Sequence, residues 1–393
     1  MREAIVTDGL WRKSLCAVRS LGKAGFEITV FGDSLFTTSY WSTFSTRRLH
    51  SVTAKDDARQ FGATLLSYLR RRPKKERPVL LPMEDATLEW VSANRDTVAE
   101  YADFLLPSIE ALAVAQSKGA TSVLGAHLKL PTPETFMSNT VEEFTERLRR
   151  LAFAGTLAGY IVKPINGSGS AGIVYLDTTK QLDWHVHWKK YGVLLIQRRI
   201  DSSGQGLGVS LLFDNSGECV ASFAHARLQQ YPNTGGPSTS RISIVNDMLV
   251  DQSIRLMKEL GWRGVAMVEW KVDPVSNTPY LMEINPRFWG SLELAVRAGV
   301  DFPLLYALAA RGEKFDPIHN YQEGVVCRWL LPGELLRYLS QDNAKRENLR
   351  EFFRGLPELA EEWDSRDIQG FLSTIACQTA KILNPKYWKF LSR

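Results

Sequence analysis

The sequence predicts an α/β protein whose first third is a doubly wound parallel sheet of Rossmann type. Short apolar runs alternate there with helical stretches, and such βαβ alternation is typical of a parallel sheet. Two later features predict strands in a different setting. Residues 159–177 read as strand, Gly/Ser-rich loop and strand, and residues 264–290 read as a hairpin with a carboxylate on each strand. We therefore expect an α+β part after the first sheet.

Composition bounds the function without specifying it. The 393 residues allow roughly two or three domains, and 44% hydrophobic with 23% charged residues is ordinary globular usage. A net charge of +5 is mild for this length, so nucleic-acid binding is not expected. The four cysteines lie far apart, which favours neither a zinc site nor a disulfide framework. Without a signal-peptide pattern or a transmembrane run, we expect a cytoplasmic protein.

The first third contains the elements of the predicted parallel sheet. Its first loop, residues 8–14 (DGLWRKS), lacks the G-x-G-x-x-G pattern, so a substrate or scaffold role is favoured over dinucleotide binding. The basic run at residues 70–77 carries no interleaved aromatic residues and is interpreted as a solvated loop. The predicted strands are residues 4–9, 27–32 and 78–82, and the predicted helices are Trp11 to Gly25, Asp56 to Leu69 and Asp85 to Ala99.

The second part begins near Ala115, and its first informative feature is a glycine-rich loop. Lys163 ends an apolar strand, where a buried cation needs an anionic partner. The loop after it would let backbone N–H groups approach phosphate oxygens, although its spacing is not that of a P-loop. A mobile turn is the alternative, and the hairpin at residues 264–290 favours the phosphate site. The candidate loop residues are Gly167, Ser168, Gly169, Ser170 and Gly172.

Three features follow before the hairpin. Residues 193–200 (VLLIQRRI) predict an apolar strand, which fits either the wall of a nucleotide cleft or a core. The strand at Cys219 to Leu228 carries His225, and a lone histidine of this kind is more often structural than catalytic. A long Gly/Pro/Ser/Thr-rich loop then ends at Arg241, a candidate for an anion contact.

The hairpin at residues 264–290 carries the most specific signal. Its apolar runs place Glu269 on one strand and Glu283 on the other. Because side chains alternate along a strand, Asn285 shares a face with Glu283. Two carboxylates and an amide oxygen suit Mg²⁺ better than Zn²⁺, and Arg287 could face an anion held by that metal. Solvent-facing acids are the alternative, but Glu is depleted in strands and charge beside a core is costly.

These features together resemble the ATP-grasp superfamily. They are a lysine before a Gly/Ser loop, an apolar strand containing Gln, and paired strands ending V-E and M-E-I-N-P-R. The H-A-R-L…Y-P…G-G-P-S-T-S-R stretch looks like the carboxylate–amine ligases of the carbamoyl-phosphate-synthetase-like branch. The resemblance implies a Rossmann-like pre-ATP-grasp domain, a small lid-bearing subdomain, a metal-binding catalytic subdomain and a C-terminal extension. These would span residues 1–114, 115–192, 193–315 and 316–393.

The resemblance also implies roles for the nucleotide- and metal-binding positions. Mg²⁺, with Mn²⁺ as an alternative, would bridge the ATP phosphates, and the glycine loop would close over them as a lid. The metal ligands would be Glu269, Glu283 and Asn285; phosphate contacts would come from Lys118 and Lys163; and the adenine hinge would include Gln197, Arg198 and Ile200. Arg198 departs from the acidic residue that many relatives carry after the hinge Gln.

The implied catalytic residues are Arg287, Arg241 and His225. The two arginines would stabilise the transferred phosphoryl group and the acyl intermediate, and the histidine could take a proton from an amine. The implied reaction joins a small-molecule carboxylate to an amine through an acyl phosphate, with release of ADP and phosphate. An ATP-grasp-like kinase and a non-catalytic ATP-binding module are the alternatives. A homodimer is a reasonable default.

The C-terminal stretch of the sequence, roughly residues 315–393, is mixed and aromatic, and it ends in NPKYWKFLSR. Basic and aromatic residues together could lie on a membrane surface. A tail docked on the rest of the protein is the interpretation that we favour.

Overall fold

A computed structural model describes residues 2–73, 76–167, 172–176, 182–201, 203–232, 236–341 and 348–383. The strands are β1 (Glu3–Val6), β2 (Glu27–Gly32), β3 (Ser45–His50), β4 (Val79–Leu81), β5 (Thr135–Met137), β6 (Tyr160–Pro164), β7 (Val174–Tyr175), β8 (Leu194–Arg198), β9 (Gly206–Phe213), β10 (Cys219–Gln230), β11 (Ser238–Ile244), β12 (Gly264–Val272), β13 (Pro279–Asn285) and β14 (Val326–Arg328).

The helices alternate with these strands in the first third and cover the later sheets. They are α1 (Arg12–Lys23), α2 (Ala58–Arg70), α3 (Asp85–Ala93), α4 (Arg95–Ala99), α5 (Ile109–Gln116), α6 (Lys118–His127), α7 (Val141–Phe153), α8 (Trp184–Tyr191), α9 (Asp247–Glu259), α10 (Leu292–Arg297), α11 (Phe302–Ala310), α12 (Leu335–Leu339), α13 (Leu349–Phe352) and α14 (Ile368–Leu383). Within the described ranges, no helix combines the length and apolar character needed to cross a membrane.

The first sheet is parallel, with strand order β3-β2-β1-β4. This confirms the predicted Rossmann-type arrangement. The apolar runs of β1 and β4 are buried, as expected of strands with helices on both faces. The strand β3 escaped prediction because its residues are largely polar, and burial alternates along it as on an edge strand. The helix predicted from Asp85 to Ala99 is divided at Asn94 into α3 and α4.

The second sheet is small and has the order β5-β8-β6-β7 with antiparallel pairing. Helices α7 and α8 pack on it around a core of its own. Buried members of that core are Phe144, Leu148, Val162, Leu194 and Ile196. Lys163 lies near the end of β6, next to this core.

The third sheet is antiparallel, with the order β13-β12-β9-β10-β11-β14. Its β12–β13 pair is the predicted hairpin. Two strands fall across the predicted domain boundaries. The strand β8, expected to open the catalytic subdomain, pairs with β5 and β6, and β14 of the C-terminal extension pairs with β11. Strand pairing joins edges that are distant in sequence, so a division by sequence position cannot anticipate it.

One continuous core joins the first sheet to the third. It contains Val6 and Val30 of the first sheet together with Val265 and Phe288 around the hairpin. The hydroxyl of Tyr306, on α11, accepts a hydrogen bond from Leu105 N (3.0 Å) and lies 3.2 Å from Leu80 O. The hairpin is therefore fixed relative to the first sheet.

Candidate active site

The two strand carboxylates lie directly opposite each other. Glu269 on β12 and Glu283 on β13 are partners in the antiparallel register, so both side chains lie on one face of the sheet. Arg227 Nη2 donates to Glu269 Oε2 at 2.6 Å, and Asn285 Nδ2 lies 3.2 Å from Glu269 Oε1. Lys118 Nζ is 3.4 Å from Glu283 Oε2. The predicted metal ligands are thus brought together and surrounded by cations.

The electrostatics of this pair favour a hard cation. Burial raises the pKa of Glu269, the charge of Arg227 opposes that shift, and the neighbouring Glu283 reinforces it. Two adjacent carboxylates with an amide form a set of oxygen ligands, which Mg²⁺ and Mn²⁺ prefer. Across the residues that the structure describes, no group of three His, Cys, Asp or Glu side chains is arranged to hold a metal ion. The candidate site has two carboxylates, and its third ligand is the amide of Asn285.

Two lysines from other elements approach the carboxylates. Lys163 is 4% exposed, and burial lowers its pKa to about 8, while Glu283 and Glu269 act to raise it and Lys118 to lower it. Lys118 begins α6, and its Nζ donates to the carbonyl oxygen of Gly167. The lysines thus lie close to the carboxylate pair and to the start of the glycine loop. Their contact with phosphate stays a prediction.

The glycine loop is described only at its ends. Gly167 has φ +107° and Gly172 has φ +77°, backbone conformations that favour glycine. A Cβ at Gly172 would also lie 2.8 Å from Pro164 Cγ. The other predicted loop residues, Ser168, Gly169 and Ser170, lie outside the described residues.

The predicted adenine hinge carries a buried acceptor. Gln197 is 1% exposed, and its Nε2 donates to Thr135 Oγ1 at 2.8 Å. Its Oε1 has no hydrogen-bond partner among the residues described. The predicted contact of Gln197 with the adenine base stays a prediction. Ile200 is buried, whereas Arg198 is exposed, and its predicted contact with the nucleotide stays untested.

Arg287 is held beside the carboxylate pair by Asp85, the first residue of α3. Its Nε donates to Asp85 Oδ1 at 2.9 Å and its Nη1 to Phe288 O at 3.2 Å. Burial opposes its charge, but Asp85 and Glu84 leave its pKa above the ordinary value. This cation is available to stabilise developing negative charge near the hairpin.

His225 lies on the same face as the carboxylates, where burial disfavours the charged imidazolium. Gly208 on β9 pairs with both His225 and Glu269, which puts the three residues in one row across the sheet. Burial lowers the histidine pKa to about 3, with Arg227 and Arg241 adding to the effect. Its Nε2 lies 3.3 Å from Ser291 Oγ. A group with so low a pKa is a weak proton acceptor near neutral pH, which argues against the predicted role as a base.

The structure gives Arg241 a different environment from the predicted one. Its side chain is fully buried and forms an ion pair with Glu361 of the C-terminal extension. Its Nη1 donates to Ser238 O at 3.1 Å. In this arrangement the guanidinium is fully buried beside Glu361, although its Nε has no hydrogen-bond partner among the described residues. The predicted contact with an acyl intermediate stays a prediction. The sequence held no signal for the contact with Glu361, because the partner lies in a distant segment without a motif.

Comparison with known proteins agrees with the geometry. Residues 120–291 match the family model described as the ATP-grasp domain. This stretch is an ATP-grasp domain. The match covers the carboxylate pair, Lys163, Arg287 and the whole predicted hinge, so the resemblance inferred from the motifs is confirmed.

Similarity to solved structures extends over the regions that flank this domain. N5-carboxyaminoimidazole synthetase from Staphylococcus aureus is 13% identical, with TM-score 0.62 over 84% of this chain and 82% of that one. The biotin carboxylase domain of 2-oxoglutarate carboxylase from Hydrogenobacter thermophilus is 13% identical, with TM-score 0.65 over 83% and 73%. Biotin carboxylase from Campylobacter jejuni is 14% identical, with TM-score 0.64 over 82% and 74%. These similarities confirm the predicted fold class.

Three residues near the ATP-grasp site were missed by sequence reasoning. Arg227 follows His225 by two positions on β10, so strand alternation could have placed it on the same face. Asp85 follows the carboxyl end of β4, where open α/β sheets commonly bind ligands. Lys13 lies in the first turn of α1 and pairs with Glu84, a contact that no local pattern indicates.

Proposed function

We propose that the chain is an ATP-dependent ligase that activates a carboxylate as an acyl phosphate and joins it to an amine. The observation that carries the proposal is the Glu269–Glu283 pair, in register and approached by Lys118 and Lys163 within an ATP-grasp domain. Two structures of similar fold support the choice of nucleotide and metal. The S. aureus synthetase is complexed with ADP, and the H. thermophilus domain with MgADP and bicarbonate.

The proposed residue roles follow from charge and position. Glu269, Glu283 and Asn285 would hold Mg²⁺, whose chemistry is to neutralise the ATP phosphates. Lys118 and Lys163 would neutralise phosphate oxygens as well. Phosphoryl transfer depends mainly on positioning and charge stabilisation, and this site supplies both without a protein nucleophile.

The proposed reaction has two steps. A carboxylate oxygen attacks the γ-phosphorus, the bond from that phosphorus to the bridging oxygen breaks, and ADP leaves. The amine nitrogen then attacks the acyl carbon, phosphate leaves, and the nitrogen loses a proton. Arg287 would stabilise charge on the transferred group in the first step. A glycine-loop lid would exclude water from the acyl phosphate.

The proposed partners are small-molecule carboxylates and amines. We retain the four-part domain division, with β8 reassigned to the lid-bearing subdomain and β14 to the catalytic sheet. A homodimer is the proposed assembly, since the H. thermophilus domain of similar fold is a dimer. Sedimentation or light scattering on the purified chain would measure the mass directly.

The decisive experiment combines ATP, Mg²⁺ and pools of carboxylates and amines with the protein. A ligase releases ADP only with substrate and forms a hydroxamate when hydroxylamine replaces the amine. A kinase would yield a stable phosphorylated product and no hydroxamate, and a binding module would show no turnover. Glu283→Ala should abolish ADP release, whereas Glu218→Ala, which removes an exposed acid paired with Lys258, should not. Full turnover by Glu283→Ala would show that the metal assignment is wrong.

A further inference from the structure

Two consecutive residues at the start of α3, Glu84 and Asp85, form a clamp on the turn that carries Arg287. Asp85 Oδ1 accepts from Arg287 Nε at 2.9 Å. Next to it, Glu84 Oε1 is 2.5 Å from Lys13 Nζ, and the same ammonium donates to Phe288 O at 3.0 Å. The residues after β4 therefore contact both the side chain of Arg287 and, through Lys13, the backbone of the residue that follows it.

The clamp defines which part of the Arg287 guanidinium remains available. Asp85 takes Nε and Phe288 O takes Nη1. Among the described residues, the structure shows no hydrogen bond from Nη2. The guanidinium also acts electrostatically on Glu269, and Glu283 acts on the guanidinium, so the cation lies near both carboxylates. A planar guanidinium held along one edge presents its remaining donors in a fixed direction.

We infer that Asp85 is a positioning residue that orients Arg287 toward the phosphoryl group during transfer. The inference rests on the proposed function, because it needs ATP phosphates beside the carboxylate pair. Asp85 itself would touch no reacting atom. Without Asp85, Arg287 would stay charged but could adopt other rotamers. The conformational entropy lost on fixing one rotamer would then reduce the stabilisation of the transition state.

A purely structural role for Asp85 is the competing explanation. The common core and Tyr306 already join the first and third sheets, so the carboxylate of Asp85 is not needed to hold them together. The side chain of Asp85 is 35% exposed, whereas that of Arg287 is 12% exposed. Loss of Asp85 should therefore change the behaviour of Arg287 more than the packing of the sheets.

The experiment compares binding of MgADP with binding of MgADP plus aluminium fluoride, which mimics the phosphoryl group in transfer. Asp85→Asn should bind MgADP within about twofold of the wild type, but should lose about tenfold in affinity for the fluoride complex. Asp85→Glu should recover part of that loss. Arg287→Lys should show the same selective loss, and the double variant Asp85→Asn/Arg287→Lys should lose little more than Arg287→Lys alone.

Glu313→Gln is the matched control. Glu313 forms an ion pair with Arg2 at 2.9 Å, and neither residue belongs to the proposed site. This variant should leave both affinities unchanged. Equal effects of Asp85→Asn on the two complexes, or no effect on either, would overturn the positioning role. No gain from fluoride in the wild type would also overturn it. A wild-type protein that fails to bind MgADP would overturn the proposed function and this inference with it.

Discussion

Lys163 shows how burial tunes a residue toward anion binding. Its pKa of about 8 follows from desolvation, which the nearby carboxylates only partly offset. A phosphate group placed beside it would restore the favourable charge pairing that burial removed. The same lysine on an exposed strand end would gain little from such a contact.

The first prediction concerns pH. In the free protein Lys163 loses its proton as pH rises through about 8, so MgATP affinity should fall by about tenfold between pH 7 and pH 9. Lys163→Met should bind more weakly and lose this dependence, as measured by calorimetry. The contribution of Lys163 to folding stability changes with pH in the opposite direction. Between about pH 8 and the ordinary lysine pKa of 10.5, the unfolded chain binds more protons than the folded protein, so stability rises with pH. An unchanged pH profile in Lys163→Met would contradict the assignment.

At the scale of single residues, the sequence predicted which hairpin side chains lie together, but it did not predict the surroundings of His225 and Arg241. Strand alternation and the hairpin pattern placed Glu269, Glu283 and Asn285 together, because periodicity is a local property. The neutral state of His225 and the ion pair of Arg241 depend on residues brought in from other strands and from the C-terminal extension. No local pattern carries that information.

Among the elements, the row across β12, β9 and β10 sets the spacing of the site. Gly208 lies between Glu269 and His225 in register, and a Cβ at Gly208 would lie 2.3 Å from His225 Cε1. The glycine therefore makes room for the imidazole ring within a tightly packed strand. Packing of this kind cannot absorb an added methyl group without displacement.

We predict that Gly208→Ala lowers the free energy of unfolding by about 1–3 kcal/mol, because the buried ring must move. Urea unfolding measures the change. Gly159→Ala is the control, since a Cβ at Gly159 would meet no atom within 4 Å. Equal stability of the two variants would mean that the ring has room to relax. A displaced His225 should also disturb Arg227 and weaken Mg²⁺ binding.

Long apolar elements were predicted closely, and short or polar ones were not. The helix predicted from Trp11 to Gly25 is α1 (Arg12–Lys23), and the β12–β13 hairpin lies within the predicted residues 264–290. The strands β5 and β14 are three residues long and have no periodicity to detect. The partners of β8 could not be read from its sequence, because pairing is decided by the edges that meet in the folded chain.

At the scale of the whole molecule, the hydrophobic cores define a fixed body, formed by the first and third sheets, and a separate part, formed by the small second sheet. The first and third sheets share one core, whereas the small sheet has its own. We therefore predict that MgADP slows amide hydrogen exchange in β6 and β8 much more than in β1 and β2, because the nucleotide would tie the small sheet to the body. Exchange followed by mass spectrometry measures this. Uniform slowing across all sheets would indicate general stabilisation instead.

The C-terminal extension is a further part of the fixed body. Its turn at residues 358–363 is held by Arg297, which donates to the carbonyl oxygens of Glu358, Ala360 and Trp363 at 2.6, 2.8 and 3.1 Å. Arg19 on α1 pairs with Asp367 at 2.8 Å. The first helix, the third sheet and the extension therefore meet in one buried network of charges, which supports a docked segment for the residues described. The basic and aromatic end, NPKYWKFLSR, lies outside the described residues.

Glu361 lies at the centre of that network, and its loss should be costly. Its carboxylate pairs with Arg12 at 2.6 Å and with the buried Arg241. Removing it leaves two guanidinium groups buried beside each other without their common partner, so Glu361→Ala should lower the free energy of unfolding by about 3–5 kcal/mol. Urea unfolding with an unchanged m-value would measure this. Glu358→Ala is the control, because its side chain is exposed and the carbonyl oxygen that Arg297 contacts is kept in the variant. Similar stability of the two variants would show that the arginines find other partners.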